Sequence, residues 1–141
     1  MMIKIFLNIT FFLIFFTNHL FAKSNFLKEG IDLYKKNKFE DARFKFEQDI
    51  VFNPKSELSY LYLSKIFQKQ DKRELEEKNL ITVMLLNPKN EEAIYNLAKL
   101  KLSASDYKKS EELNRKLKTI CNSFCDKSDK LKIEIENLSK K

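Results

Sequence analysis

Glycine occurs once in 141 residues, at Gly30, and proline only twice, at Pro54 and Pro88. So little turn chemistry excludes the many hairpins of a β-sandwich. One glycine cannot write a phosphate-cradling loop or a dinucleotide fingerprint. Histidine also occurs once, as His19, inside an N-terminal segment expected to be removed. The rest of the chain therefore lacks the commonest general base and transition-metal ligand. Tryptophan is absent, and the three arginines stand apart at 43, 73 and 115, which forms no patch of forks for phosphate or nucleic acid. The expectation is a non-enzyme with no cofactor, no metal and no nucleic-acid partner. Present instead are 27 Lys plus Arg against 20 Asp plus Glu, a net +7, with 43% hydrophobic and 33% charged residues. That balance suits one helical domain whose lysines are mostly solvated surface.

Residues 1–22 read as a secretory signal peptide. Lys4 supplies the positive end, residues 5–16 form an apolar run, and Leu20-Phe21-Ala22 precedes a cut after Ala22 or after Ser24. Removal takes Lys4 and no acid, so the net charge falls from +7 to +6. No cysteine opens the remaining chain, so no lipoprotein anchor is written. The competing reading retains the segment: Ile3 to Ala22 spans about 20 residues, enough for a ~30 Å hydrocarbon core. In both cases the remainder faces an oxidising compartment. The periplasm is the expected location, with an inner-membrane anchor as the alternative.

The two prolines are 34 residues apart, each in the context Asn-Pro-Lys, and Ser56 and Asn90 repeat that spacing as candidate N-caps. A fixed period of this length signals stacked helix pairs. Small residues at Gly30, Ala42, Ser64, Ala98 and Ser110 fall where helices would cross closely. Phe39, Ala42, Phe46, Asp49 and Ile50 follow helical spacing with charges between them.

These residues resemble the tetratricopeptide-repeat (TPR) family, whose unit is two antiparallel helices. The first repeat, residues 23–56, carries Phe26, Gly30, Leu33, Phe39, Ala42, Phe46, Ile50 and Pro54 of the family's pattern. The second, 57–90, carries Tyr60, Leu63, Ser64, Phe67, Leu80, Val83, Met84 and Pro88, with Glu76 where a small residue is usual. The third, 91–122, carries Ile94, Leu97, Ala98, Tyr107, Ser110 and Leu117, with Lys101, Asn114 and Asn122 as departures. The implied fold is all-α, a helix-pair solenoid of about three repeats. Residues 123–141 are expected to close it as a capping helix, with Leu131, Ile135 and Leu138 on one stripe.

Cys121 and Cys125 stand at the junction of the third repeat and the cap. In an exported chain the simplest reading is one disulfide, while a reduced, redox-active pair and a metal-binding pair remain open. Two thiolates alone fall short of a four-ligand zinc site.

In this family the first helix of each pair lines a concave groove that takes a peptide. The resemblance places Leu27, Ile31 and Tyr34 there from the first repeat, Leu61, Lys65 and Gln68 from the second, and Tyr95, Lys99 and Leu102 from the third. The Lys and Asn clamp that some members use for a C-terminal carboxylate is not written: Leu27, Ile31, Tyr62, Glu92 and Asn96 occupy its places. The expected function is an exported protein-interaction module, an adaptor or assembly factor of the bacterial envelope. Its partner would be a peptide segment with apolar anchors and acidic residues, and a membrane would be involved only if residues 1–22 are retained. Three alternatives stand beside it: a small thiol-redox protein using the cysteine pair, a membrane-anchored assembly factor, and a binder of anionic polymers. The last draws on residues 99–141, which hold 12 cations against 7 acids.

Overall fold

The computed structural model describes residues 25–140 and is helical throughout, with no strand among the described residues. The expected signal segment lies outside them. Seven helices follow in order: α1 (Asn25–Lys35), α2 (Phe39–Phe52), α3 (Glu57–Lys69), α4 (Arg73–Leu86), α5 (Glu91–Ser103), α6 (Tyr107–Ile120) and α7 (Cys125–Ser139). Among the described residues, no helix is long and apolar enough to cross a membrane.

The breaks between helices recur with the sequence period. α1, α3 and α5 each end on a residue in the left-handed region: Asn37 (φ 59°), Asp71 (φ 52°) and Ser105 (φ 60°), successive positions 34 apart. The next N–H reaches back to the last helical turn at each site: Lys38 to the Leu33 carbonyl at 3.0 Å, Lys72 to Phe67 at 2.9 Å and Asp106 to Lys101 at 2.9 Å. This is the Schellman stop, which satisfies carbonyls the helix would otherwise orphan. α2 and α4 stop differently. Asn53 and Asn87 still bond back at 2.7 Å, to Asp49 and Val83. Pro54 and Pro88 follow at once, and a proline cannot continue the ladder. Asn90 then starts α5, its side chain accepting from the Ala93 N–H at 2.8 Å.

The described chain forms two compact units that divide after Ser56. In the first, α1 lies against α2 with Ala42, Phe46 and Asp49 buried. Gly30 is needed for contact rather than for backbone freedom. A Cβ at this position would sit 2.7 Å from the Phe46 ring. Lys45 pairs with Glu29 at 2.8 Å, and Phe26 stacks on Phe52 at 5.6 Å between ring centroids.

In the second unit, α3 to α7 enclose one apolar core that includes Leu80, Val83, Ile94, Leu97, Leu117 and Leu131. Three of its close-approach positions are polar: Ser64 donates to the Leu61 carbonyl at 2.7 Å within its own helix. Ser110 donates to the Ala98 carbonyl at 2.8 Å, so its hydroxyl is paired inside the contact. Glu76, 34 residues before Ser110, is buried as well. Its carboxylate accepts from Gln68 Nε2 at 3.0 Å, and burial raises its pKa above the ordinary carboxylate value. α7 seals the unit. Leu131 and Ile135 are buried, and Asn114 and Ser128 exchange hydrogen bonds at 3.0 and 2.9 Å across the α6–α7 contact. Leu138, expected on the same stripe, is 37% exposed instead. The sealing stripe ends one turn early.

Candidate functional site

The expected surface residues divide into three groups. In the first unit, Leu27, Ile31 and Tyr34 are half-buried on α1, and Tyr34 meets Phe39 edge to face at 5.4 Å. In the second unit, Lys65, Gln68, Tyr95 and Lys99 keep exposed or half-exposed positions on α3 and α5. Leu61 and Leu102 do not. Each is only 4% exposed and belongs to the core. The reason is the width of the apolar arc: a helix packed on two sides buries neighbouring stripes that a single periodic count separates. Neither leucine is a surface residue, and both leave the candidate set.

What remains on α3 and α5 is an ordered strip of aromatic and charged groups. Lys65 Nζ bonds Glu92 at 2.8 Å, tying α3 to α5, and lies 5.0 Å over the Tyr62 ring. One turn on, Tyr95 meets Phe124 edge to face with centroids 5.6 Å apart. Lys127 Nζ sits 4.0 Å over Phe124 and 5.6 Å over Tyr95. Lys99 is exposed on the same helix, and no ion pair is formed to it among the described residues. Gln68 is committed to Glu76.

Phe124 and Lys127 were not anticipated in this strip, because residues 123–141 read as a cap alone. The groove register carried past 122 gives Asp129, Ile133 and Glu136 instead, so the repeat pattern did not point to Phe124 or Lys127. The loop that carries Phe124 is held by Glu91. Its carboxylate accepts from the backbone N–H groups of Asn122, Ser123 and Phe124 at 2.9, 2.9 and 2.8 Å. One period earlier, Glu57 does the equivalent with side chains, accepting from Asn87 Nδ2 at 3.0 Å and Asn90 Nδ2 at 2.5 Å. Cys121 and Cys125 flank the same loop. Their sulfurs are 2.09 Å apart and their Cα atoms 5.3 Å apart.

A cleft of about 410 Å³ between α6 and α7 is another concavity in this unit. Its charges already pair with one another, Arg115 with Glu111 and Lys118 with Asp129, so they offer a ligand little unmatched charge.

No protein-family model matches the sequence, and no curated protein matches it. Solved structures do. The TPR2B domain of yeast Sti1, solved as a complex with pHsp70, superposes with a TM-score of 0.75 at 14% identity, over 82% of this chain and 97% of that one. The type III secretion chaperone SycD of Yersinia enterocolitica, in complex with a peptide of the translocator YopD, gives 0.74 at 16% identity, over 85% and 95%. The TPR domain of Arabidopsis OM64 gives 0.69 at 19% identity, over 79% and 94%. The fold is that of TPR domains, a succession of antiparallel helix pairs. At these identities the likeness concerns the fold.

Proposed function

We propose that the chain is an exported protein-interaction module, an adaptor or assembly factor of the bacterial envelope that holds a peptide segment of a partner on the exposed face of α3 and α5. The observation that carries this is the strip formed by Tyr62, Lys65, Tyr95 and Lys99, with Phe124 and Lys127 beside it. Aromatic rings offer large contact area at low entropic cost, which suits a recognition surface. Of the similar structures, SycD was solved with a peptide of the translocator YopD and the Sti1 domain as a pHsp70 complex, which supports the same mode here.

The partner's chemistry follows from the charges. Lys65 is already neutralised by Glu92, whereas Lys99 and Lys127 have no carboxylate opposite them in the described structure. A segment with an apolar or aromatic anchor against Tyr95 and an acidic residue for Lys99 fits this strip. The N-terminal segment, expected as a signal peptide, supports export. The paired cysteines fit an oxidising compartment, where a disulfide between them forms readily.

The test is a photo-crosslinking residue at Lys99 in the native host, with the same residue at Lys78 on the far side of α4 as control. A discrete adduct at 99 that disappears with Tyr95→Ala, while helical content is kept, is the expected result. Equal labelling at both positions, or labelling insensitive to Tyr95→Ala, would refute the assignment. Labelling abolished by salt alone would favour an anionic polymer. Intact mass of the native protein tests export: a chain beginning at Lys23 or Asn25 supports it, and a full-length chain indicates an anchor.

A further inference from the structure

The loop Asn122–Phe124 is held by three constraints of different strength. Glu91 holds all three backbone N–H groups, but two of these bonds are exposed and water competes for them. Phe124 rests on Tyr95, with Lys127 over both rings. The third constraint is the cysteine pair, which joins the end of α6 to the first residue of α7. It is the one covalent constraint of the three. Both cysteines are only half-buried. They bracket only three residues, so closing the loop removes little entropy from the unfolded chain compared with a long-range bridge. A cross-link that adds little global stability, lies near the surface and fixes an aromatic side chain on the candidate binding strip suits control better than bracing.

We infer that Cys121–Cys125 is a redox latch: oxidised, it holds Phe124 and Lys127 over Tyr95; reduced, it releases them and opens Tyr95 to a partner. A dithiol reductant supplies the chemistry. Its thiolate attacks Cys121 Sγ and the S–S bond breaks with its electron pair going to Cys125 Sγ. The reductant's second thiol then displaces Cys121 as a thiol, so the reductant leaves as a disulfide and two protein thiols remain. Cys125 opens α7, and the N-terminal end of a helix favours the departing thiolate. The consequence for binding rests on the proposed strip, whereas the latch itself does not.

The chain has no tryptophan, so Phe124→Trp gives a single reporter at the latch. Acrylamide quenching of that reporter is measured before and after dithiothreitol. In parallel, amide exchange at residues 122–128 is followed in the wild type. Reduction is expected to raise quenching at least twofold and to lower protection at 122–124 without abolishing it, with helical circular dichroism unchanged. The Cys121→Ser/Cys125→Ser variant should match the reduced state and ignore the reductant. Glu91→Gln should leave the oxidised form latched and open the reduced form further. Unchanged quenching and exchange on reduction would overturn the latch, as would loss of the helices of the whole second unit, which would make the pair a brace. A latch that opens while Tyr95→Ala leaves crosslinking at Lys99 intact would sink the strip and spare the latch.

Discussion

Replacing Gly30 by alanine tests whether the α1–α2 contact is set by one side chain. On an exposed helix the change would stabilise by about 1 kcal/mol, the helix-propensity difference between the two residues. Here the new Cβ would lie 2.7, 2.8 and 3.0 Å from the Cε1, Cδ1 and Cζ atoms of Phe46. Carbon atoms prefer about 3.5–4.0 Å, so the ring or the helix must retreat by roughly 0.5–1 Å. Phe46 is fully buried and has no open side to retreat into. Overpacking of this kind costs about 1–3 kcal/mol, so the net expectation is a loss of roughly 1 kcal/mol despite the propensity gain. The repeat itself suggests the rescue. One period on, Gly30 and Phe46 become Ser64 and Leu80, a larger residue facing a smaller one. Phe46→Leu alone should cost about 1 kcal/mol through lost contact. The double substitution should cost clearly less than the sum, with a coupling of at least ~1 kcal/mol. Urea denaturation of the four proteins followed by circular dichroism measures this. A stabilised Gly30→Ala, or strictly additive penalties, would refute the reasoning.

Ser105 holds φ 60° without glycine, so Ser105→Gly should stabilise by up to ~1 kcal/mol in thermal unfolding. Burial raises the folded pKa of Glu76 above its ordinary value, so its ionisation opposes folding. This penalty is present above the folded pKa and is relieved as pH falls through it. Glu76→Gln should therefore be more stable than the wild type near pH 7, with the gap closing toward pH 4 in parallel urea titrations. Ending the chain before Ser128 removes Leu131, Ile135 and the partner of buried Asn114, and should give a product that aggregates or melts far lower. An unchanged melting temperature would show that α7 is not a cap.

The helix pairs were legible because each is written by local chemistry. The Asn-Pro-Lys breaks, the small residues at crossing points and the periodic apolar positions all act within one or two turns. The left-handed stops were partly legible. Asn37 and Asp71 are residue types that tolerate positive φ, but Ser105 is not a strong signal, and only the 34-residue register reveals it. The surface strip was less legible because burial depends on what packs from outside the helix. Leu61 and Lys65 are one turn apart on α3, yet one is core and the other reaches Glu92 on α5. No single-helix pattern separates them. Phe124 and Lys127 were missed for another reason: a capping helix was read only for its apolar stripe, although its first turn returns toward α5.

The third repeat departs from the second at its last turn. Where the second repeat places Asn87, Pro88 and Asn90, the third places Cys121, Asn122 and Phe124. Proline is lost, and so are the two amide side chains that Glu57 uses to tie its loop. Glu91 keeps the same register and turns to the backbone, accepting from three successive N–H groups that a proline at 122 would have reduced to two. The acid thus sets the start of α7 from a neighbouring helix, which matters because α7 has no side-chain cap of its own. Inside the unit, Asn114 replaces the Leu80 of the previous repeat and bonds Ser128, so α7 is held by a polar register contact as well as by Leu131. On the outside, Lys132 stands one period after Ala98, a bulky charged residue in place of a small one. The same changes that set the start of α7 also place Phe124 and Lys127 against Tyr95. The α6–α7 junction and the candidate surface are therefore one structural feature, and perturbing α7 should be felt at Tyr95 before it is felt in α3 or α4.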